Sequence, residues 1–599
     1  MKKSFLKYYD DEYEFLVEAG KEFNKNQPKR GKYLGITNEV KDPYIERLFE
    51  GFAFLTARLR QRLDAELPEF TEGVMGLLWP HYLRPIPALS MLKFTPKEGK
   101  LREPLLIERG AEVLSNPIGA QAYVCKFRTC WNVRLLPLAL DKVSLETNRY
   151  GRHEIKFRFR LTPGAKYENI FPLSKSGAGA NAEENRIRLF LNSDPPMTAS
   201  LLLLYLTYYA EKATLLPVAG EAEQRVAIAP AGFAEEENLW PASPQTLSGY
   251  RLLQEYFAFP QKFSFIDMIG LNRCQLPAGT GAFEIQVLLK KNFPEGHRFG
   301  AENFDLFCTP IINLYAEDIR PISLNFLRPE YPVTPQADHA EVYAIEEVIG
   351  FENKTRKKHP YLPFNSFRHA AANGHANGEA PRFYKASSRF DPNGKWESVL
   401  SFGGHELQDG QLPQETVTIS ATCMNGAVPK ELRQRSICNR SQNFKHDVPF
   451  YNLSQPTPPI YPPPEDGLQW RLLSHMSLNF LSLTDIGALK ELLSLYNWKR
   501  DEFMQQVNRS RIDGIREIKP EPDQHAIKNN LIRGTGIKMT LDETKFTDRG
   551  DLYLFGCILK ELLAHFATIN SFVRLSIVTD PNGETFTWPP SLDKGVPII

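Results

Sequence analysis

Near residue 90 the apolar period of this sequence changes from about 3.6 residues to about 2, the periods of a helix and a strand. Before the change, Phe5, Tyr9, Tyr13, Leu16, Val17 and Phe23 form one imperfect stripe. A clearer helix follows over residues 43–67. Asp42 suits its cap, Pro43 its first turn, and Glu46 complements its dipole. Ile45, Leu48, Phe52, Leu55, Leu59 and Leu63 then recur at steps of three and four. At 1.5 Å per residue this helix is about 37 Å long. Tyr44, Phe49 and Phe54 lie off the stripe. A helix apolar on more than one side wants more than one neighbour, so the six stripe residues are the candidate subunit interface, either in an ordinary core or in a bundle with helices of other subunits.

After the change, His153–Leu161 and Phe283–Leu289 alternate apolar and polar residues, as half-buried strands do. Residues 196–210 read as a buried helix on a sheet. Gly249 to Pro260 reads as a short aromatic helix that the proline ends. The stretches 174–184 and 371–380 read as exposed loops, the second Gly/Asn-rich and mobile. Residues 455–464, QPTPPIYPPP, read as a semi-rigid connector. Beyond it, strands at 470–483, 509–518, 532–541 and 572–578 and helices at 485–498 and 552–567 give the order βαββαβ of a ferredoxin-like unit. The expected class is therefore α+β multidomain. Its expected parts are a helical segment over 1–90, a β-rich domain over 91–340, a second over 341–452, a linker over 453–465 and a separable C-terminal domain over 466–599.

Composition removes several functions. The formal net charge of +1 lacks the basic excess that phosphate neutralisation requires, so no nucleic-acid partner is expected. The longest apolar run, residues 201–210, is half of what a membrane span needs. No apolar h-region follows the first lysines, and a cytoplasmic location is expected. Seven cysteines without a CxxC support neither a disulfide framework nor a zinc ribbon.

Catalytic signatures are equally thin. Gly534-Thr535-Gly536-Ile537-Lys538 lacks the spacing of a phosphate loop and continues as a strand. There is no G-x-S-x-G; Ser401-Phe402-Gly403-Gly404-His405 reads as a turn. His359, His369 and His375 fall in a loop-like stretch with no element to preorganise a metal site. Paired carboxylates leave no linear trace. No catalytic residue, metal ligand or cofactor site is assigned, and no enzyme is expected.

Several long motifs carry a resemblance. Residues 42–48, DPYIERL, with 51–55, GFAFL, open it, and 77–87, LLWPHYLRPIP, continue it. Gly249 to Pro260 with Lys262-Phe263 form a central motif, followed by Cys308 to Leu314 and Glu330-Tyr331. Residues 470–475, 478–483 and 570–572 complete the order. Together they resemble the TssF (ImpG/VasA) baseplate family of bacterial type VI secretion systems, over nearly the whole chain. Residues 422–429, TCMNGAVP, depart from the family's Thr-Cys-Thr-Asn-Arg-type segment.

The resemblance implies a structural wedge subunit without a reaction of its own. Two TssF copies join one TssG, with TssK and TssE attached, around the hub and spike. That platform supports tube and sheath and docks on the inner-membrane complex. A wedge protein of a phage tail-like injection machine is the near alternative, and a multidomain polysaccharide or cell-wall hydrolase the remote one.

Overall fold

A computed structural model describes residues 8–10, 12–17, 19, 43–66, 68–97, 99–172, 185–193, 197–216, 224–241, 248–277, 279–353, 357–365, 381–391, 394–404, 414–463, 485–498, 501–527, 530–565 and 571–592. The expected strand at 470–483 and the loops at 174–184 and 371–380 lie outside these residues. Contacts divide the chain into two compact units, Met1–Leu78 with Pro463–Ser477, and Trp79–Pro462 with Leu478–Ile599.

The first unit holds α1 (Pro43–Glu66) and α2 (Pro68–Leu78). Both open on a proline, whose fixed φ and missing donor suit a first turn. The helical part ends at Leu78 rather than at 90, because Leu89–Phe94 is already a strand.

The second unit is organised around a six-stranded root sheet. Its order is Ile437–Arg440, Glu112–Ser115, Lys126–Thr129, Cys308–Ile312, Leu89–Phe94 and Phe450–Asn452. Leu89 pairs with Ile312 and Leu92 with Asn452. The chain thus leaves this sheet twice and returns. The first excursion forms an eight-stranded antiparallel sheet from Leu138–Thr147 to Phe304–Leu306. The second forms another eight-stranded sheet from Tyr315–Asp318 through Glu415–Met424, with seven strands on one path and Ile322–Leu324 paired beside it to Glu415–Met424. Leu92, Phe94, Phe127, Ile311 and Phe450 share the root core. Leu324, Leu400 and Val417 belong to a separate core under the third sheet. The expected boundaries at 340 and 452 therefore cut through this unit. The third sheet starts at Tyr315, and residues 437–452 belong with residues 89–129.

Two motif asparagines tie the root to the second excursion. Asn425 N donates to Asn313 Oδ1 at 2.7 Å, and Asn313 Nδ2 donates to Asn425 Oδ1 at 2.7 Å. Asn425 lies in the divergent 422–429 segment, and both side chains are buried.

The proline-rich stretch is anchored rather than a free spacer. Thr457 N donates to Leu89 O at 2.8 Å, and Ile86 and Ile460 exchange both backbone bonds. The residues that keep an N–H thus make the bonds, while Pro456, Pro458 and Pro459 have none to satisfy.

The second unit also contains α3 (Met197–Thr207), α4 (Ser248–Ala258), α5 (Ile486–Leu495), α6 (Glu502–Asp513) and α7 (Arg549–Ala564). Among the described residues, the C-terminal order is α5, α6, two strands, α7, then three strands. This corrects the ferredoxin-like reading. Residues 509–513 end a helix that Asp501 caps by accepting from Phe503 N, and its buried Asn508 and Ile512 are one helical turn apart. The strand begins only after Gly514. Asn530–Asp542 and Phe572–Asp580 are parallel neighbours.

Nor is this region separable. Helix α7 packs on both α3 and α4, and Gly550 meets the backbone of Ser200 with no room for a Cβ. Gly249 of α4 likewise leaves no room for a Cβ against Leu562.

Candidate partner-binding surface

Helix α1 turns its large residues outward. Ala53 and Ala57, four apart on one face, are fully buried. Leu48, Phe52, Leu55 and Leu59, on another face, are 56–63% exposed. Tyr44 and Phe54 are exposed as well. The side chains of Ile45 and Leu63 lie outside the described residues. Burying one such Leu or Phe yields about 1.5–3 kcal/mol, so four in a row leave a large free energy unused in the isolated chain. The periodicity found the stripe. It did not find the small face of Ala53 and Ala57, which packs inward.

In the second unit several buried charged groups are paired with one another. Helix α4 is buried from Gly249 to Ala258. Its Glu255 accepts from Leu239 N at 2.7 Å and pairs with Lys262, both side chains being inaccessible. Burial pulls the Lys262 amine below its ordinary range, although Glu255 opposes this. Nearby, Asp267 binds Arg188 Nε at 2.7 Å and Arg186 at 2.9 Å. Glu237 holds Gly232 N at 2.7 Å and pairs with Arg188. Two arginines thus occupy the two carboxylates, leaving neither carboxylate poised as a base. A cavity of about 330 Å³ beside them is lined by Asn132, Arg134, Arg186, Arg188, Phe307 and Cys308 among others.

The histidines and thiols follow the same pattern. His81 is buried, and desolvation together with Arg84 and Arg251 lowers its pKa to about 3. His359 stands in strand Lys358–Pro363, opposite Gly350, and is buried. This corrects its reading as a loop residue: Tyr361 and His359 alternate inward. His369, His375 and His405 lie outside the described residues. Residues 401–403 close a strand rather than forming a turn. Burial pushes the Cys125, Cys130 and Cys423 thiols up to about 12. Among the described residues no group of His, Cys, Asp and Glu could hold a metal ion. Among them, too, no helix is long and apolar enough to cross a membrane. What remains distinctive in the described structure is the outward apolar stripe of α1.

The family model described as "Type VI secretion system, TssF" matches residues 1–594. The chain belongs to the TssF family.

The type VI secretion system component TssF1 of Pseudomonas aeruginosa is 30% identical, with 98% of each chain covered. Two solved structures extend the likeness to the fold. One chain comes from the TssK-TssF-TssG baseplate subcomplex of a type VI secretion system, solved by cryo-electron microscopy. It matches with a TM-score of 0.72 and 33% identity, over 92% of this chain and all of that one. Another, from the baseplate complex of the type VI secretion system, matches with a TM-score of 0.62 and 30% identity, over 99% of this chain and all of that one. The relatives are structural baseplate components. The motifs at 42–55, 249–263 and 308–314 map onto α1, α4 and the centre of the root sheet.

Proposed function

We propose that this chain is a wedge subunit of a type VI secretion baseplate, with no catalytic reaction of its own. In this reading two copies join one TssG counterpart, with TssK and TssE, around the hub and spike. The resulting platform supports tube and sheath assembly and is recruited from the bacterial cytoplasm to the inner-membrane complex. The stripe Ile45, Leu48, Phe52, Leu55, Leu59 and Leu63 on α1 is the contact with helices of the other subunits.

The observation that carries the reading is the outward stripe of α1, because four large apolar side chains on one exposed helix face need a partner. One of the solved structures supports the choice of partner, since it is a TssK-TssF-TssG subcomplex. The test is co-expression of the chain with its TssG and TssK counterparts. The expected product is a stable complex at two copies of this chain per TssG. A monomer that ignores both partners would overturn the reading.

A further inference from the structure

Phe307 joins strand Phe304–Leu306 of the first excursion to strand Cys308–Ile312 of the root sheet, and its φ of 61° is left-handed. A residue other than glycine keeps that conformation only where its surroundings enforce it. Here the Phe307 carbonyl accepts from Phe94 N at 3.0 Å. The cavity of about 330 Å³ lies beside this turn. One of its walls is the ribbon of Leu105–Ile107 and Val133–Leu135. Leu105, Ile107, Val133 and Leu135 pack into the root core, so strand alternation puts Leu106 and its cross-strand partner Arg134 on the other face. Leu106 is 49% exposed. Another wall is strand Arg186–Leu191, where Arg186 and Arg188 are two residues apart and so share a face.

Arg188 is the fixed point of that wall. Its Nε and Nη2 each stand 2.7 Å from an Asp267 oxygen, and Nη2 also pairs with Glu237. The guanidinium carbon lies 5.1 Å from the centroid of the Trp131 ring. These bonds use one edge of the fork, and Nη1 makes no hydrogen bond to any described residue. With the side chain only 14% exposed, this edge is a preorganised and poorly hydrated donor. Such a donor suits a carboxylate better than a mobile surface cation does. Arg134 and Arg186 add positive charge, and no Asp or Glu is among the described residues that line the cavity. Leu106, Leu136 and Leu306 make much of the remainder apolar. The volume stands near the bottom of the range of about 300–1,000 Å³ for ligand pockets, which suits one or two side chains rather than a nucleotide.

We propose that this cavity receives an acidic side chain of a partner subunit, an Asp or Glu beside an apolar residue, with its carboxylate on the open edge of Arg188 and its apolar neighbour on Leu106. The carboxylate would complete a charge-assisted pair away from bulk water, and the apolar neighbour would close the mouth over it. The proposal rests on the reading of the chain as a baseplate subunit.

The test is the dissociation constant of the full chain with its TssG and TssK counterparts, beside the melting temperature of the chain alone. Leu106→Glu puts a carboxylate of the chain itself at the mouth of the cavity, where it competes with the partner's. It is expected to weaken the complex at least about tenfold with an unchanged melting temperature. Leu106→Lys loses the same apolar contact but adds a cation, and is expected to weaken the complex clearly less. Arg134→Gln is expected to weaken it too and to reduce its dependence on salt. Equal losses in Leu106→Glu and Leu106→Lys would overturn the assignment of a carboxylate. An unchanged dissociation constant in all three variants sinks the cavity proposal alone. Inorganic phosphate that raises the melting temperature of the free chain, while Leu106→Glu leaves the complex intact, would assign the cavity to a free anion and overturn the partner. Failure of the unmodified chain to form the complex sinks the subunit reading and this proposal with it.

Discussion

Gly249, at the start of α4, and Leu562, near the end of α7, approach so closely that a Cβ on Gly249 would stand 2.9 Å from the Leu562 Cα. The same Gly249 N donates to His565 Nε2 at 2.8 Å. The contact joins the central motif to the C-terminal helix, and it exists because glycine has no side chain. Gly249→Ala is therefore expected to destabilise the chain by about 1–3 kcal/mol through overpacking. Gly51→Ala, in the middle of α1 with open space around it, is expected to stabilise α1 by about 0.5–1 kcal/mol. Urea unfolding of the two variants should move in opposite directions; equal shifts would contradict the packing described here.

Lys262→Met would leave Glu255 buried without its cation. The expected cost is about 3–5 kcal/mol, the usual result of breaking one side of a buried pair. Adding Glu255→Gln should recover a large part of it, because the uncompensated charge is then gone. A double variant less stable than Lys262→Met would show that the pair is not the source of the loss.

His81 sets an acid limit. Its folded pKa, about 3, lies below the ordinary 6.5 because burial and the cations Arg84 and Arg251 disfavour its charged form. The unfolded chain therefore binds the proton that the folded chain refuses. The contribution of His81 is fully present above pH 6.5 and is lost as pH falls toward 3, by about 1.4 kcal/mol per pH unit. His81→Gln should flatten the stability profile between pH 6.5 and 4, whatever it does at pH 7. An unchanged slope in that window would count against the argument.

Leu55→Asp with Leu59→Asp separates folding from assembly. Both side chains are about 60% exposed, at 60% and 63%. Unfolding of the isolated chain should change by no more than about 0.5 kcal/mol, as for surface positions. In a partner bundle the same charges would be buried and unpaired, at several kcal/mol each. The double variant should thus melt normally and fail to co-purify with the TssG counterpart. Normal complex yield would exclude the stripe as an interface.

The sequence revealed these elements unevenly. His153–Leu161 has the same bounds in both readings, because strict alternation over nine residues leaves little choice. Helix α4 ends at Ala258, two residues before Pro260. The root sheet was not legible: Leu89 pairs with Ile312 and Leu92 with Asn452, and no local pattern encodes partners hundreds of residues away. Residues 509–518 were misread because apolar residues on both sides of Gly514 imitate one strand while Asp501 caps a helix before it. For α1, the pattern gave the stripe but not its direction, since a helix packed through Ala53 and Ala57 carries the same periodicity as one packed through Leu55 and Leu59.

The root sheet also orders the birth of the protein. Its strands come from residues 89–129, 308–312 and 437–452, so the last of them leaves the ribosome after both excursions have been made. At roughly 5–20 residues per second, more than 300 residues separate Leu92 from its neighbour Asn452 by tens of seconds of synthesis. During that interval the strand Leu89–Phe94 has an unpaired edge, while each excursion can already close its own sheet. Chains halted before residue 450 should accordingly show protease-resistant excursions and a protease-sensitive root, and should be the species that chaperones retain.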